Sequence, residues 1–274
     1  MTLASKTILR RVEAMGIDAT AAHWNLVPPD LARRLRPSIA RVADGLVTML
    51  PTSDSLRMNR VIGFGHRGRA TEAAIDEIVD HYRRMKLRRF SLLLGPGPQA
   101  GTIADWLLRR GFRPKDALTL LMRDCRLVVS RDTSEVRVTR ARRESAGHVV
   151  RILEACFAMP ASRRRWSLAA AAAPHTEHYL AFVGATAAGV GALRVQGDLA
   201  WLGAGATLTR WRGQGVHGAL IAARLRRAAR RGCRWAWVET SAPARGRPDG
   251  SRRNLIRLGF EEVCTKPTFV WQER

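Results

Sequence analysis

The sequence predicts an α/β protein of the α+β sandwich kind, built as two tandem domains, each a mixed, mostly antiparallel sheet flanked by helices. Three observations lead there. A long stretch recurs at a nearly constant offset, and in its second copy two strand hairpins precede a glycine-rich turn and a helix. No GxGxxG follows the first strand, as a doubly wound dinucleotide-binding sheet would require.

The repeat is read directly from the residues. "HRGRATEAAIDEIVDHYRRMKLRRF" (66–90) parallels "WRGQGVHGALIAARLRRAARRGCRW" (211–235) at an offset of 145, with Arg67 and Gly68 answering to Arg212 and Gly213. "WLLRRGF" (106–112) parallels "NLIRLGF" (254–260) at an offset of 148, so a three-residue difference in one loop accounts for the change. Each copy reads as strand, glycine turn, helix, strand, loop, short helix ending in Gly-Phe, and a last strand. The copies differ at the turn, where Ala70 and Ala73 stand in place of Gly215 and Gly218. A nest of backbone amides forms less readily there, so the first half, residues 1–130, reads as a degenerate structural domain and residues 134–274 as the active one.

The second half opens with a strand ("VRVTRAR") and two helices ("ESAGHVVRILEACF" and "ASRRRWSLAAAAA"). Three apolar strands follow, "HYLAFVGA", "GVGALRVQ" and "LAWLGAGATL", with turns between Gly184 and Gly191 and at Gln196–Asp198. In the helix after the glycine turn, Ala219, Leu220, Leu225, Ala228 and Ala229 form an apolar stripe. Arg224, Arg226, Arg227, Arg230 and Arg231 read as its solvated face, and Gly232 supplies the stop.

Composition narrows the function classes. At 274 residues, 46% hydrophobic and 26% charged, the chain suits about two soluble globular domains, and it has no apolar run of membrane-spanning length. Its start lacks the long apolar core of a secretion signal, so a cytoplasmic location is expected. Cys125, Cys156, Cys233 and Cys264 lie far apart with no CxxC spacing, which excludes the usual zinc and dithiol motifs and reads as reduced thiols. The formal charge of +24 favours polyanionic ligands. A nucleic-acid partner is compatible with it, but only four of the 47 basic residues are lysine and the arginines spread over nearly every element. That spread suits the bias of a GC-rich coding sequence better than a built nucleic-acid surface.

The turn "RGQGVHG" carries the chemistry. The first turn of a helix has N–H groups without intrahelical partners and a partial positive charge, and anions bind there. Glycines at 213, 215 and 218 permit left-handed angles and close approach, so several amides can converge on phosphate oxygens, with Arg212 adding a charged fork.

In element order and turn, the second half resembles the GNAT superfamily of acyl-CoA N-acyltransferases, whose turn is written Q/R-x-x-G-x-G/A. Arg212, Gly213, Gln214, Gly215, Val216 and His217 fill it, with His217 in place of the small last residue and Gly218 next. The pair of halves is similar to tandem GNAT enzymes with one degenerate half. The resemblance implies that the amides of 213–218 cradle the pyrophosphate of acetyl-CoA and that Gly205, Ala206 and Thr207 pair with its pantetheine arm. It implies Glu239, in "WAWVETS", as the general base, and its flanking Trp237 and Val238 would desolvate it and favour its protonated form. The family's tyrosine acid is missing, since Leu255 holds its place. Ser251 occupies the position where a branch of the family has a serine, and it reads equally as a helix N-cap; Asn254 is a weaker candidate. His217 either touches a phosphate or is a spectator. Trp166, in "SRRRWS", is either an aromatic platform for the acceptor or part of a solvated arginine helix, and His175 and His178 read as loop histidines. The implied activity is acetyl, or acyl, transfer to a primary amine on a small molecule or peptide. The rival is a non-catalytic CoA-sensing or nucleic-acid-associated protein on the same scaffold.

Overall fold

The computed structural model describes residues 5–129, 135–243 and 250–273. The chain divides into two compact units, Met1–Thr119 with Cys264–Arg274, and Leu120–Val263. In chain order the elements are α1 (Lys6–Trp24), α2 (Pro29–Leu35), β1 (Ser38–Val42), β2 (Gly45–Met49), β3 (Arg60–Ile62), α3 (Glu72–Arg84), β4 (Arg89–Leu93), α4 (Ala100–Arg109) and β5 (Arg113–Asp124). There follow β6 (Arg137–Arg140), α5 (Ala146–Phe157), α6 (Arg164–Ala171), β7 (Glu177–Val183), β8 (Thr186–Gln196), β9 (Leu199–Thr207), α7 (Val216–Arg230), β10 (Trp235–Ser241), α8 (Gly250–Arg257) and β11 (Glu261–Gln272). The expected sequence of strand, turn, helix, strand and short helix is present in both copies.

The first unit orders its strands β1-β2-β3-β4-β11. β2 runs antiparallel to both β1 and β3, whereas β3 and β4 are parallel because α3 crosses over between them. Thr71 starts α3, its hydroxyl accepting from the Ala74 N–H at 3.2 Å. The core forms around Tyr82 and Phe90, stacked at 3.8 Å between centroids, with Phe112 edge-on to Phe90 at 5.5 Å. The chain's last strand belongs here: Thr268 to Gln272 pair antiparallel with Leu93 to Arg89. Lys266, on that strand, reaches Glu13 of α1 at 2.5 Å, both side chains being 4% exposed. The unit boundaries therefore lie at 119/120 and 263/264, where the sequence suggests a single linker near 130–135. Most of that stretch is outside the described residues.

The second unit orders its strands β5-β10-β9-β8-β7-β6, residues 120–124 of β5 belonging to it. β6 to β9 form an antiparallel meander. Its tight turns rest on glycines with left-handed angles, Gly184 (φ 56°) between β7 and β8 and Gly197 (φ 58°) between β8 and β9. β9 and β10 are parallel, joined through α7, whose Val216, Leu220, Ile221 and Leu225 pack into the core. Among the described residues, no helix is long and apolar enough to cross a membrane. Cys125 and Cys233 are buried, Cys156 and Cys264 half-buried, and all four are free thiols.

Candidate active site

Two features of the second unit shape the end of β9. The pairing of β9 with β10 stops after Trp201↔Trp237, so residues 202–207 of β9 extend past the last paired residues. β9 also bulges. Val190 pairs with Ala206 and Ala192 with Gly203, so Gly191 faces two residues, and Ala204 takes a left-handed φ of 48°. The bulge bends the strand and leaves Gly205 exposed. Glu239 lies on β10, two residues past its last pair with β9, and is half-buried.

Below the bulge sits a residue that the sequence pattern misplaces. Arg224 reads as part of the solvated face of α7, yet it is 2% exposed. Its Nη1 donates to the carbonyls of Ala192 (3.0 Å) and Gly203 (3.1 Å), and its Nε to that of Leu220 (2.9 Å). The guanidinium thus bridges β8 and β9 beside the bulge, giving a charged donor to a carbonyl of each strand. Burial pulls its pKa down to about 10, so it stays charged at neutral pH. Gly191 provides the space, since a Cβ there would stand 2.6 Å from the guanidinium carbon. The glycines of β8 and β9 that face α7 were the available signal.

The turn follows. Gly213 (φ 80°) and Gly215 (φ 78°) both take left-handed angles, and Gly215 is the N-cap of α7 without a side-chain cap. Arg212, Gly213, Gln214 and Gly215 are exposed, while the Val216 side chain is buried in the core. A Cβ added at Gly213 or Gly218 would meet nothing within 4 Å. Gly218 has no left-handed angle either, and glycine inside a helix costs about 1 kcal/mol relative to alanine. Packing and backbone geometry therefore leave its glycine unexplained. The Arg212 Nε donates to the Thr207 carbonyl at 3.5 Å, joining the turn to the end of β9. The buried Thr207 Oγ1 has no hydrogen-bond partner among the described residues.

His217 and Asn254 meet at the same place. The Asn254 Nδ2 lies 3.3 Å from the His217 Nδ1, and a Cβ at Gly205 would stand 3.2 Å from the His217 Nε2. With the Asn254 amide donating to Nδ1, the imidazole carries its proton on Nε2, directed at Gly205. Burial, then the nearby Arg224 charge, push the His217 pKa down to about 4, so the ring is neutral at neutral pH. Ser251 is the exposed second residue of α8, inside the helix instead of before it, and Leu255 is buried at the place of the missing tyrosine. Trp166 is 1% exposed and offers no platform to an acceptor; its ring is spent on packing. His178 is not a loop residue, being buried within β7, whereas His175 is exposed.

In the first unit, side chains from elsewhere in the unit hold the segment before the equivalent turn and the turn itself. The buried carboxylate of Asp44 accepts from the Gly65 N–H and the Arg67 N–H, and the Gln99 side chain accepts from the Ala70 N–H at 3.2 Å. Gly68 matches Gly213 in its left-handed angle (φ 75°), but Ala70 does not match Gly215.

A solved GCN5-related N-acetyltransferase from Kribbella flavida superposes with a TM-score of 0.65, at 16% identity, over 96% of this chain and 95% of that one. This chain has the GNAT fold. A second GCN5-related N-acetyltransferase, from Sphaerobacter thermophilus, superposes at 0.63 with 12% identity over 89% of this chain and 84% of its own. A tandem GNAT protein from the clavulanic acid biosynthesis pathway does so at 0.58 with 16% identity, over 88% and 86%. No family profile and no curated protein matches the sequence. The β9 bulge, the parallel β9-α7-β10 unit and the glycine turn thus lie on a chain with the GNAT fold, and identities this low carry the fold alone.

Proposed function

We propose that the second half, residues 134–274, is an N-acetyltransferase, moving an acetyl or related acyl group from CoA to a primary amine by direct attack with both substrates bound. The first half, residues 1–130, is a structural domain without a cofactor. The observation that carries this reading is the open turn at Gly213–Gly215: an uncapped helix start with two left-handed glycines, set against the extended end of β9. At the matching turn of the first half, Ala70 stands in place of Gly215 and its N–H is taken by the Gln99 side chain, which supports the assignment of that half as degenerate.

In this reading the main-chain N–H groups of Gly213, Gln214, Gly215, Val216, His217 and Gly218 hold the pyrophosphate, and Arg212 adds charge. Gly205, Ala206 and Thr207 offer the pantetheine arm a strand edge, with Asn254 and His217 beneath it. Acetyl-CoA supplies a thioester carbonyl as electrophile. Glu239 takes the proton from the attacking ammonium, and the Ser251 hydroxyl returns one to the departing sulfur. The acceptor is an amine on a small molecule or peptide. Four free thiols fit a reducing compartment such as the cytoplasm.

The test is release of free CoA thiol from acetyl-CoA against a panel of amines. The expected result is amine-dependent turnover that falls by about 100-fold or more in Glu239→Gln while acetyl-CoA binding is retained. Turnover no faster than the amine-free background throughout the panel would leave the protein a binder of CoA without transferase activity. Full activity in Glu239→Gln would remove Glu239 from the mechanism.

A further inference from the structure

α7 has a second functional face. His217 and Arg224 are turned toward the β9 bulge, whereas Ala219, Ala223, Arg226, Arg227 and Arg230 recur at helical spacing along a different side. That side borders a concave groove of about 630 Å³ within the second unit, closed opposite by β6 and by Tyr179 of β7. Val136, Val138, Ala219 and Ala223 contribute a small apolar part to a lining that is mostly polar. Its walls carry the guanidinium groups of Arg140, Arg226, Arg227 and Arg230.

The charges in this groove are arranged and unequal. Glu177 is the carboxylate at its edge. It accepts from the Arg227 Nε (3.1 Å) and Nη2 (3.0 Å), from the Arg231 Nη1 (3.2 Å) and from the Tyr179 hydroxyl (2.8 Å), with Arg140 at 3.9 Å. Partial burial pushes its pKa up, but the bonds from Arg227 and Tyr179 outweigh this and hold it below the usual carboxylate range. One carboxylate thus fixes Arg227 and Tyr179 in place while leaving the groove with an excess of positive charge. Arg226 and Arg230 are exposed and make no ion pair among the described residues.

We infer that this groove is a binding site for a phosphate-bearing ligand with a flat apolar body, of the nucleotide class, separate from the glycine turn. Planar guanidinium forks match phosphate oxygens in pairs. The volume lies in the range of single small-ligand pockets, which favours a nucleotide over a polymer tracking the surface. The apolar strip of Val136, Val138 and Ala223 would take one face of a base or similar ring, which a bare inorganic anion cannot use. This inference does not depend on the transferase reading, because none of its residues belongs to the turn.

The probe is N-methylanthraniloyl-ADP, titrated by fluorescence at 150 mM salt with the full-length protein. Three variants are compared: Arg226→Gln/Arg230→Gln in the groove, Arg33→Gln/Arg113→Gln as a control removing two exposed charges elsewhere, and Gly215→Asp at the turn. All four arginines are exposed, so the double variants should fold, which circular dichroism checks. The expected result is a Kd raised at least tenfold in the groove variant, less than twofold in the control, and unchanged in Gly215→Asp. ADP should also displace the probe at lower concentration than inorganic pyrophosphate. Equal losses in groove variant and control would reduce the site to diffuse surface charge and overturn the inference. Loss confined to Gly215→Asp would place the nucleotide at the turn and overturn it too, as would the absence of saturable binding.

Discussion

The carboxylate of Asp44 accepts the Gly65 N–H at 2.6 Å and the Arg67 N–H at 2.7 Å. At the offset of 145 these two donors answer to those of Arg210 and Arg212, so a protein side chain pins, in the first half, the segment that leads into the turn matching Gly213–Gly218. Anion-binding turns work because converging N–H groups lack protein partners. In the turn of the first half the Ala70 N–H, the counterpart of that of Gly215, is satisfied by the Gln99 side chain, and the Gly68 N–H by the Gly65 carbonyl at 3.0 Å.

Removing that carboxylate should therefore destabilise the first unit. Asp44→Ala leaves two main-chain donors without their charged acceptor in a buried place, where each such loss costs about 1–3 kcal/mol. We expect urea denaturation to show a loss of about 2–5 kcal/mol, and a smaller one for Asp44→Asn, which keeps one acceptor oxygen. A change below about 0.5 kcal/mol in Asp44→Ala would show that water replaces the carboxylate freely.

Gly191 and Arg224 should be energetically coupled. A Cβ at Gly191 would press on the buried guanidinium at 2.6 Å, so Gly191→Ala is expected to destabilise by about 1–3 kcal/mol. In the Arg224→Met background the flexible thioether can give way, and the same substitution should cost much less. A double-mutant cycle in denaturant measures the difference, and strict additivity would contradict the packing described.

The histidines set a pH dependence. His178 is 8% exposed, and its pKa is pushed down to about 4, first by burial and also by the Arg224 charge, against a hydrogen bond with the Ala171 backbone. The unfolded chain, with an ordinary histidine near 6.5, binds the proton more readily. Stability is therefore complete above about pH 6.5 and lost as pH falls toward 4, at about 1.4 kcal/mol per pH unit for this one group. Denaturation midpoints in His178→Gln should show a shallower slope between pH 6.5 and 4. An unchanged slope would mean that His178 is protonated in the folded state.

Much of this was legible in the residues. Two left-handed glycines at a helix start, and a repeat with alanines in their place, follow from backbone sterics that any sequence displays. Arg224 was not legible in the same way, because a helical pattern counts arginine as polar and assigns it to solvent. Its burial depends on a hole that Gly191 and the β9 bulge create on other strands, which a periodicity along α7 does not contain. Asp44 was hidden for a similar reason: its partners lie 21 and 23 residues away, and nothing local marks it as a cap. The return of residues 264–274 to the first unit is also a matter of pairing, since alternation along β11 fits either sheet edge. Trp166 shows the reverse error, an aromatic residue among arginines that packs inward.

The most direct measurement is calorimetric titration of acetyl-CoA into the wild-type protein and into Gly215→Asp, which brings bulk and negative charge to the uncapped start of α7. The account expects saturable binding to the wild type and a loss of about 100-fold or more in a variant with an unchanged circular dichroism spectrum. Equal affinity in the two proteins would contradict the placement of the cofactor at Gly213–Gly215, and with it the assignment of the second half as the catalytic one.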